Sequence, residues 1–196
     1  LPLLVDGDTG FGNAVNVVRT VEQFEKAGAS GIQLEDQISP KKCGHFSGKA
    51  VITTDEMVQK IKAAADSRRD QDFQIVARTD AAAILGLEAA LDRAQHYIEA
   101  GADATFIEAP TAVEDLARIA AELPVPQIAN MVFGGKTPLT SQADLETMGF
   151  GAVLYANAAL QVSISAIADM LTVLKETGSL DGVADRIASF EERQRL

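Results

Sequence analysis

The chain has little of what several protein classes need. Its 196 residues include one cysteine and two histidines, and its 28 acidic residues outnumber 17 basic ones, for a net charge of −11 at pH 7. One cysteine cannot form an internal disulfide, which is typical of a reducing compartment such as the cytoplasm. So few cysteines and histidines argue against a zinc site. The surplus of acid argues against nucleic acid or an anionic membrane surface as a partner, because both bind basic faces.

Long hydrophobic runs are also missing. No apolar run approaches the ~20 residues needed to span a bilayer, so we expect no membrane partner. Apolar residues nevertheless make up 47% of the chain. That content and this length predict one substantial core in a single domain covering residues 1–196.

Strand-like and helix-like segments alternate along the chain, which indicates parallel βαβ units. The predicted strands are residues 3–6, 32–35, 74–78, 104–108, 127–130 and 152–155. The predicted helices are residues 13–27, 54–66, 86–100, 112–123, 140–148 and 158–176. The segments FEKAGASGIQLED and YIEAGADATFIEA repeat one helix–strand unit, and LETMGFGAVLYA is a looser copy.

Polar residues stand at the carboxyl ends of five predicted strands, where parallel α/β folds build ligand sites. They are Asp6, Glu35, Arg78, Glu108 and Asn130. This ring and the repeated units favour a (β/α)8 TIM-type barrel over an open doubly wound sheet. Six strands do not close such a barrel, so we expect a fragment lacking about two N-terminal βα units. Residues 178–196 predict a C-terminal helix that extends from the barrel and packs on a neighbouring subunit.

The segment DGDTGFGN offers oxygen ligands for a metal ion. Asp6 and Asp8 end the first strand and Glu35 ends the second. Carboxylates suit a partly hydrated Mg²⁺ or Mn²⁺. Two alternatives remain: Asp8 caps the following turn, or the glycines form a phosphate cradle, although their spacing matches neither a P-loop nor GxGxxG.

The loop PKKCGHFSGK holds the single cysteine. Lys41, Lys42 and His45 would stabilise a Cys43 thiolate, and Gly44 would let the loop approach a ligand closely. The alternative is that Cys43 is an inert apolar residue.

Two further strand-end residues suit carboxylate recognition. The Arg78 guanidinium ends an apolar strand and matches a carboxylate bidentately. The alternative is a structural pair with Glu108. Asn130 either donates to a carboxylate or orders the loop that follows it.

The motifs DGDTGFG, LEDQ, PKKCGH, ARTDA and ANM…GGKTPL together resemble the isocitrate lyase and phosphoenolpyruvate mutase superfamily, in its carbon–carbon lyase branch. The resemblance covers nearly the whole chain, and K-[KR]-C-G-H is its most specific signature. It implies a (β/α)8 barrel, a homotetramer with a helix exchanged between subunits, and a Mg²⁺ ion at the barrel mouth.

The resemblance also implies roles for individual residues. Asp6 would bind the metal directly, and Asp8 and Glu35 through water. Cys43 would be the catalytic acid, and Lys42, His45 and Glu108 would complete the catalytic group. The implied substrate contacts are Gly44, Arg78, Asn130 and Thr137.

The expected function is Mg²⁺-dependent cleavage of a 2-hydroxy di- or tricarboxylate, of 2-methylisocitrate or 2,3-dimethylmalate type, to pyruvate or a related 2-oxo acid plus a carboxylic acid. The segment NMVFGGKTPL is more like that of 2,3-dimethylmalate lyases, although Phe133 stands where 2-methylisocitrate lyases are expected to have Glu. The alternatives are an oxaloacetate hydrolase or decarboxylase, a phosphonate-forming mutase, and a catalytically inactive fragment.

Overall fold

The structure is a computed structural model that describes residues 1–44 and 48–195. Its strands are Leu4–Asp6 (β1), Gly31–Glu35 (β2), Gln74–Thr79 (β3), Ala104–Ile107 (β4), Ile128–Asn130 (β5) and Ala152–Leu154 (β6). Its α-helices are Ala14–Lys26 (α1), Thr54–Ser67 (α2), Ala82–Leu85 (α3), Leu87–Glu99 (α4), Val113–Glu122 (α5), Gln142–Met148 (α6), Ala158–Thr177 (α7) and Phe190–Arg195 (α8). The six predicted strands and the six predicted helices are confirmed, whereas the short α3 was not expected.

The strand order identifies the type of sheet. Strands β1 to β4 pair in chain order, β5 pairs with β6, and all of these pairs are parallel. A parallel bridge between Thr105 and Gln127 links the two groups. A doubly wound sheet reverses its strand order at a switch point, whereas this order never reverses. The topology is therefore that of a (β/α) barrel, as predicted.

The largest core cluster packs helices α1, α2 and α4 on the sheet. Val17, Ile32, Ile61, Ile75 and Tyr97 are all fully buried members of it. All five residues of β2 are buried, which explains why that strand reads as a mostly apolar run rather than an alternating one. The core thus holds the strands rigidly beneath their carboxyl ends.

The turn between β1 and α1 is tight for reasons of packing. Asn13 caps α1 by accepting the N–H groups of Val15 and Asn16 at 3.0 and 3.4 Å. Gly10 has a left-handed φ of +86°, and a Cβ there would lie 2.5 Å from a methyl carbon of Val17. The turn therefore requires this glycine whether or not a phosphate binds.

A buried network joins the end of β2 to β3 and α4. The carboxylate of Asp36, fully buried, accepts hydrogen bonds from the Thr79 hydroxyl (2.6 Å), the Asp80 N–H (2.9 Å), the Tyr97 hydroxyl (2.9 Å) and Arg93 Nη1 (3.2 Å). Burial raises the pKa of Asp36, although all four donors oppose that shift. The network fixes the turn that follows β3.

The chain divides into two compact units, Leu1–Ala156 and Asn157–Leu196. The single domain over residues 1–196 stays a prediction. Residues 178–196, predicted as a C-terminal helix, contain two short helical segments in their described part. Gly178 ends α7 with a left-handed φ of +66°, a 3₁₀ helix covers Asp181–Arg186, and α8 begins only after Ser189. Ser189 Oγ accepts the N–H of Glu192 at 3.1 Å, which caps this separate short helix.

Helix α7 is long enough and apolar enough, by length and composition, to cross a membrane, with a mean hydropathy of 1.4. The expectation concerned unbroken apolar runs, whereas α7 meets this criterion by its mean hydropathy. Polar residues interrupt the apolar run of α7, but they do not lower its mean hydropathy below that of a possible membrane span. One of them, Asp169, lies near the middle of the helix, where insertion of an aspartate into a bilayer costs about 2.5–3.5 kcal/mol. Its placement favours protein or water around α7 over lipid.

We expect Tyr97→Phe to lower the free energy of unfolding by about 1.5–3 kcal/mol, because the buried Asp36 carboxylate loses one of its donors. The matched control is Tyr155→Phe, since Tyr155 is 53% exposed, and its effect should stay within about 0.5 kcal/mol. Urea unfolding at neutral pH measures both. Equal effects of the two substitutions would contradict a stabilising role for the Asp36 network.

Candidate active site

The structure brings the predicted strand-end residues together through a chain of contacts. Glu35 and Arg78 are register partners on β2 and β3. Arg78 Nε lies 3.4 Å from Glu35 Oε2, and Arg78 Nη2 lies 3.4 Å from Glu108 Oε2. Asn130 Nδ2 lies 3.3 Å from the same Glu108 oxygen. The ends of β2 to β5 therefore form one polar site.

Arg78 has more acidic neighbours than the sequence suggested. Besides Glu35 and Glu108, it binds Asp80, with Nε 3.0 Å from Oδ2 and Nη2 3.3 Å from Oδ1. Its guanidinium lies over the Phe106 ring, 5.0 Å from the centroid. The alternative reading, a pair with Glu108, is therefore present in the structure. A substrate carboxylate would have to share or replace these bonds.

The three predicted metal ligands surround a lysine. Lys41 Nζ contacts Asp8 Oδ1, lies 3.1 Å from Asp6 Oδ2, and lies 3.8 Å from Glu35 Oε2. The Asp8 carboxylate thus faces Lys41, while its backbone N–H donates to Asp6 Oδ1 at 2.9 Å. Sequence reasoning placed Lys41 beside the thiol and missed this position.

Glu35 is the buried member of this acidic group. Its side chain is 1% exposed, and neither of its oxygens has a hydrogen-bond partner within the described residues. Burial raises the pKa of Glu35 to about 7, although Arg78 and Lys41 lower it. A buried carboxyl without hydrogen bonds is unusual and fits a ligand or ion that supplies them.

The donor chemistry fits a divalent cation. Five carboxylates in this region face three cationic side chains, which leaves negative charge for a metal to balance; the eight residues are Asp6, Asp8, Glu35, Asp80, Glu108, Lys41, Lys49 and Arg78. No trio of His, Cys, Asp or Glu among residues 1–44 and 48–195 is already arranged as a metal site. An ion held directly by Asp6 and otherwise through water does not need such a trio.

The cysteine loop touches the site through its backbone. Cys43 is exposed on the loop. The next residue, Gly44, is buried, and a Cβ there would lie 2.5 Å from Arg78 Nη2 and 2.7 Å from Glu108 Cδ. Lys42 Nζ donates to the Gly48 carbonyl at 2.8 Å. His45 lies outside the described residues, so its predicted role stays a prediction.

Two polar atoms near the end of β5 and in the loop after it are buried without partners in the described part of the chain. They are Asn130 Oδ1 and Thr137 Oγ1. Asn130 is tied to Glu108, whereas the described contacts of Thr137 do not join it to the Arg78 group. Both atoms are available to a ligand that can donate a hydrogen bond.

Asp80 and Lys49 were not predicted as site residues. Burial raises the pKa of Asp80. Arg78 and Lys49 together lower it by more than burial raises it, so the pKa of Asp80 lies below its ordinary value. Lys49 Nζ lies 2.6 Å from Asp80 Oδ1. The sequence signal for this pair was weak, because 31 residues separate its two members.

These features define a class: a (β/α) barrel with an acid-rich site at the carboxyl ends of its strands. The family model for phosphoenolpyruvate phosphomutase matches residues 1–175. The chain therefore belongs to the phosphoenolpyruvate mutase and isocitrate lyase superfamily, as the motifs indicated.

Individual relatives extend this assignment. The 2,3-dimethylmalate lyase of Eubacterium barkeri is 49% identical over 192 residues, which cover 98% of this chain and 66% of that protein. The structure of an oxaloacetate acetylhydrolase with the inhibitor 3,3-difluorooxalacetate is similar at a TM-score of 0.91 and 37% identity, covering 98% of this chain and 66% of that one. A phosphonopyruvate hydrolase complex with oxalate and Mg++ is similar at a TM-score of 0.83 and 34% identity, covering 100% and 68%. The chain thus spans about two thirds of the length of these proteins.

The raised pKa of Glu35 predicts a pH dependence of stability in metal-free protein. Its folded-state pKa of about 7 exceeds the ordinary value of 4.5. The contribution is therefore complete below about pH 4.5 and is lost as the pH rises through 7. Between pH 8.5 and pH 5, wild type in EDTA should gain about 2–3 kcal/mol relative to Glu35→Gln.

Chemical unfolding at several pH values measures this difference. Glu146→Gln is the matched control, because Glu146 is exposed, and it should keep the wild-type pH slope. A Glu35→Gln variant with the same slope as wild type would show that Glu35 does not titrate in this range.

Proposed function

We propose that this chain carries the active site of a divalent-metal-dependent carbon–carbon lyase. The proposed substrate is a 2-hydroxy di- or tricarboxylate, of 2,3-dimethylmalate or 2-methylisocitrate type. The proposed products are pyruvate or a related 2-oxo acid and a carboxylic acid. The observation that carries the proposal is the unbroken set of contacts from Asp6 through Lys41, Glu35 and Arg78 to Glu108. The 49% identity to a 2,3-dimethylmalate lyase supports it.

Substrate binding would depend on Arg78 and Asn130. Arg78 is 12% exposed and already contacts three carboxylates, so a substrate carboxylate would take over bonds that Asp80 or Glu108 now accept. Asn130 would donate to a second carboxylate, and the Thr137 hydroxyl, which has no hydrogen-bond partner among the described residues, would add a hydrogen bond. Glu108 binds both Arg78 and Asn130 and would orient them.

The metal would be held at the acidic group. Asp6 would bind it directly, and Asp8 and Glu35 would hold its water ligands. A bound Mg²⁺ or Mn²⁺ would stabilise negative charge on the 2-oxygen and the adjacent carboxylate of the substrate. The similar fold of a hydrolase crystallised with oxalate and Mg++ supports this choice of ion.

The chain's own residues would supply the proton. When the C2–C3 bond breaks, a general base would accept the proton of the 2-hydroxyl, C2 would become a carbonyl, and the departing carbon would take up the bonding electron pair. Cys43 would then donate its thiol proton to that carbon. The contact of the neighbouring Gly44 with Arg78 and Glu108 supports this role, because it places the loop backbone on the site. Lys42 and His45 would assist from the same loop.

A second candidate is hydrolysis of oxaloacetate. The similarity to an oxaloacetate acetylhydrolase at a TM-score of 0.91 favours it as the alternative. Incubation with oxaloacetate, followed by analysis of the acids produced, separates hydrolysis from decarboxylation and from the absence of reaction. A phosphonate-forming mutase is less well supported, because that branch generally lacks the KCGH signature.

The oligomeric state is also a proposal. Three apolar residues of α7 are at least 60% exposed, namely Leu160, Val162 and Ile164. A neighbouring subunit that covers α7 and the segment after it would remove this surface from water. We propose a homotetramer, which sedimentation equilibrium can test.

We expect Cys43→Ser to slow cleavage by about 10²–10⁴-fold while substrate binding is retained, because the variant loses its proton donor. The measurement is release of 2-oxo acid from a panel of 2-hydroxy acids, with Mg²⁺ and with EDTA. Calorimetry with a non-cleaved analogue measures binding.

Equal losses of rate and binding would indicate a structural cysteine. An unchanged rate would assign the proton to another group. Failure to bind Mg²⁺ and to cleave any member of the panel would favour the inactive alternative.

A further inference from the structure

Lys49 is a buried lysine at the far end of the cysteine loop. Its side chain is 2% exposed and that of its partner Asp80 is fully buried. The ammonium donates to Asp80 Oδ1 at 2.6 Å and also to the carbonyl oxygen of Gly44. Burial of an ammonium is costly unless it is paired and hydrogen-bonded. The two acceptors therefore account for its position.

One of these acceptors belongs to the rigid part of the barrel. Asp80 follows β3, and its backbone N–H donates to the buried Asp36 carboxylate at 2.9 Å. Its own carboxylate also accepts from Arg78 Nε at 3.0 Å. Asp80 is thus held by two hydrogen bonds that do not depend on Lys49.

The other acceptor belongs to the loop, directly after Cys43. The Gly44 backbone lies so close to Arg78 and Glu108 that no Cβ fits between them. The Lys49 ammonium donates a hydrogen bond to the Gly44 carbonyl. This bond holds the loop backbone close to Arg78 and Glu108.

We propose that Lys49 is a positioning residue that ties the Gly44 carbonyl to Asp80 and thereby sets where Cys43 stands relative to the Arg78 site. Its effect on turnover depends on the function proposed above, whereas its effect on the loop does not. A shift of about 1 Å in a reacting group can cost on the order of 10²-fold in rate.

The decisive variant is Lys49→Met. Methionine has a similar length and suits a buried position, and Asp80 remains paired with Arg78, so no buried carboxylate loses its last partner. Lys49→Arg keeps the charge and the donors. The matched control is Lys62→Met, because Lys62 is exposed on α2.

The structural readout is amide hydrogen exchange at Cys43 and Gly44. We expect Lys49→Met to raise it at least about 10-fold, Lys49→Arg to restore part of the protection, and Lys62→Met to leave it at the wild-type value. In turnover assays Lys49→Met should lower kcat about 10–100-fold with less than a threefold change in KM, since Arg78 is untouched.

The proposal would be overturned if the amides of Cys43 and Gly44 exchanged at the same rate in Lys49→Met as in wild type. A rise in KM with kcat unchanged would also overturn it, because that result would make Lys49 a determinant of binding. If Lys49→Met does not fold, Lys49→Leu carries the same test, because leucine also lacks a donor for the Gly44 carbonyl. Raised exchange in a protein whose wild type cleaves no substrate would support the positioning role and refute the proposed function alone.

Discussion

The site depends on one constraint: a guanidinium buried at the end of a parallel strand must be neutralised there. Arg78 meets this constraint with carboxylates from β2, from the turn after β3, and from the end of β4. Because parallel strands in register align their carboxyl ends, each acid reaches the same cation. Removal of any one partner would leave charge in a region with little water, so these groups hold one another in place.

A second layer lies behind these charges. Asp36 connects β2, the turn after β3 and α4 through four donors, and the Asp80 backbone is one of them. The cysteine loop contributes two lysines to the site. Lys41 contacts the acids at the ends of β1 and β2, and Lys49 contacts Asp80. Cys43 lies between these two lysines in the chain. The loop is therefore attached to the barrel on both sides of its thiol.

The fold alone does not select the chemistry. Proteins with this architecture include a lyase and two hydrolases among the similar chains, and the family model carries the name of a mutase. The cysteine loop of this chain contacts the site through the backbone of Gly44, the residue after Cys43, and this contact supports the lyase proposal.

Much of the architecture was readable from the sequence, and the reason is local. Helix and strand periodicities, the glycines after helices, and the polar residues at strand ends depend on neighbours in the chain, so strands β1 to β6 and the ring from Asp6 to Asn130 were predicted. The C-terminal segment was harder to predict, because the Ser189 cap starts a separate short helix within residues that an amphipathic pattern had suggested were one helix.

By itself, then, the sequence determined the barrel class, the order of its elements and the residues at the mouth. Only the tertiary structure decided the pairing of the charges: Lys41 among Asp6, Asp8 and Glu35, and Lys49 between Asp80 and Gly44. These contacts join residues more than 30 positions apart or depend on the path of an irregular loop. Charge attracts charge without a spacing rule, so their geometry follows from the folded chain alone.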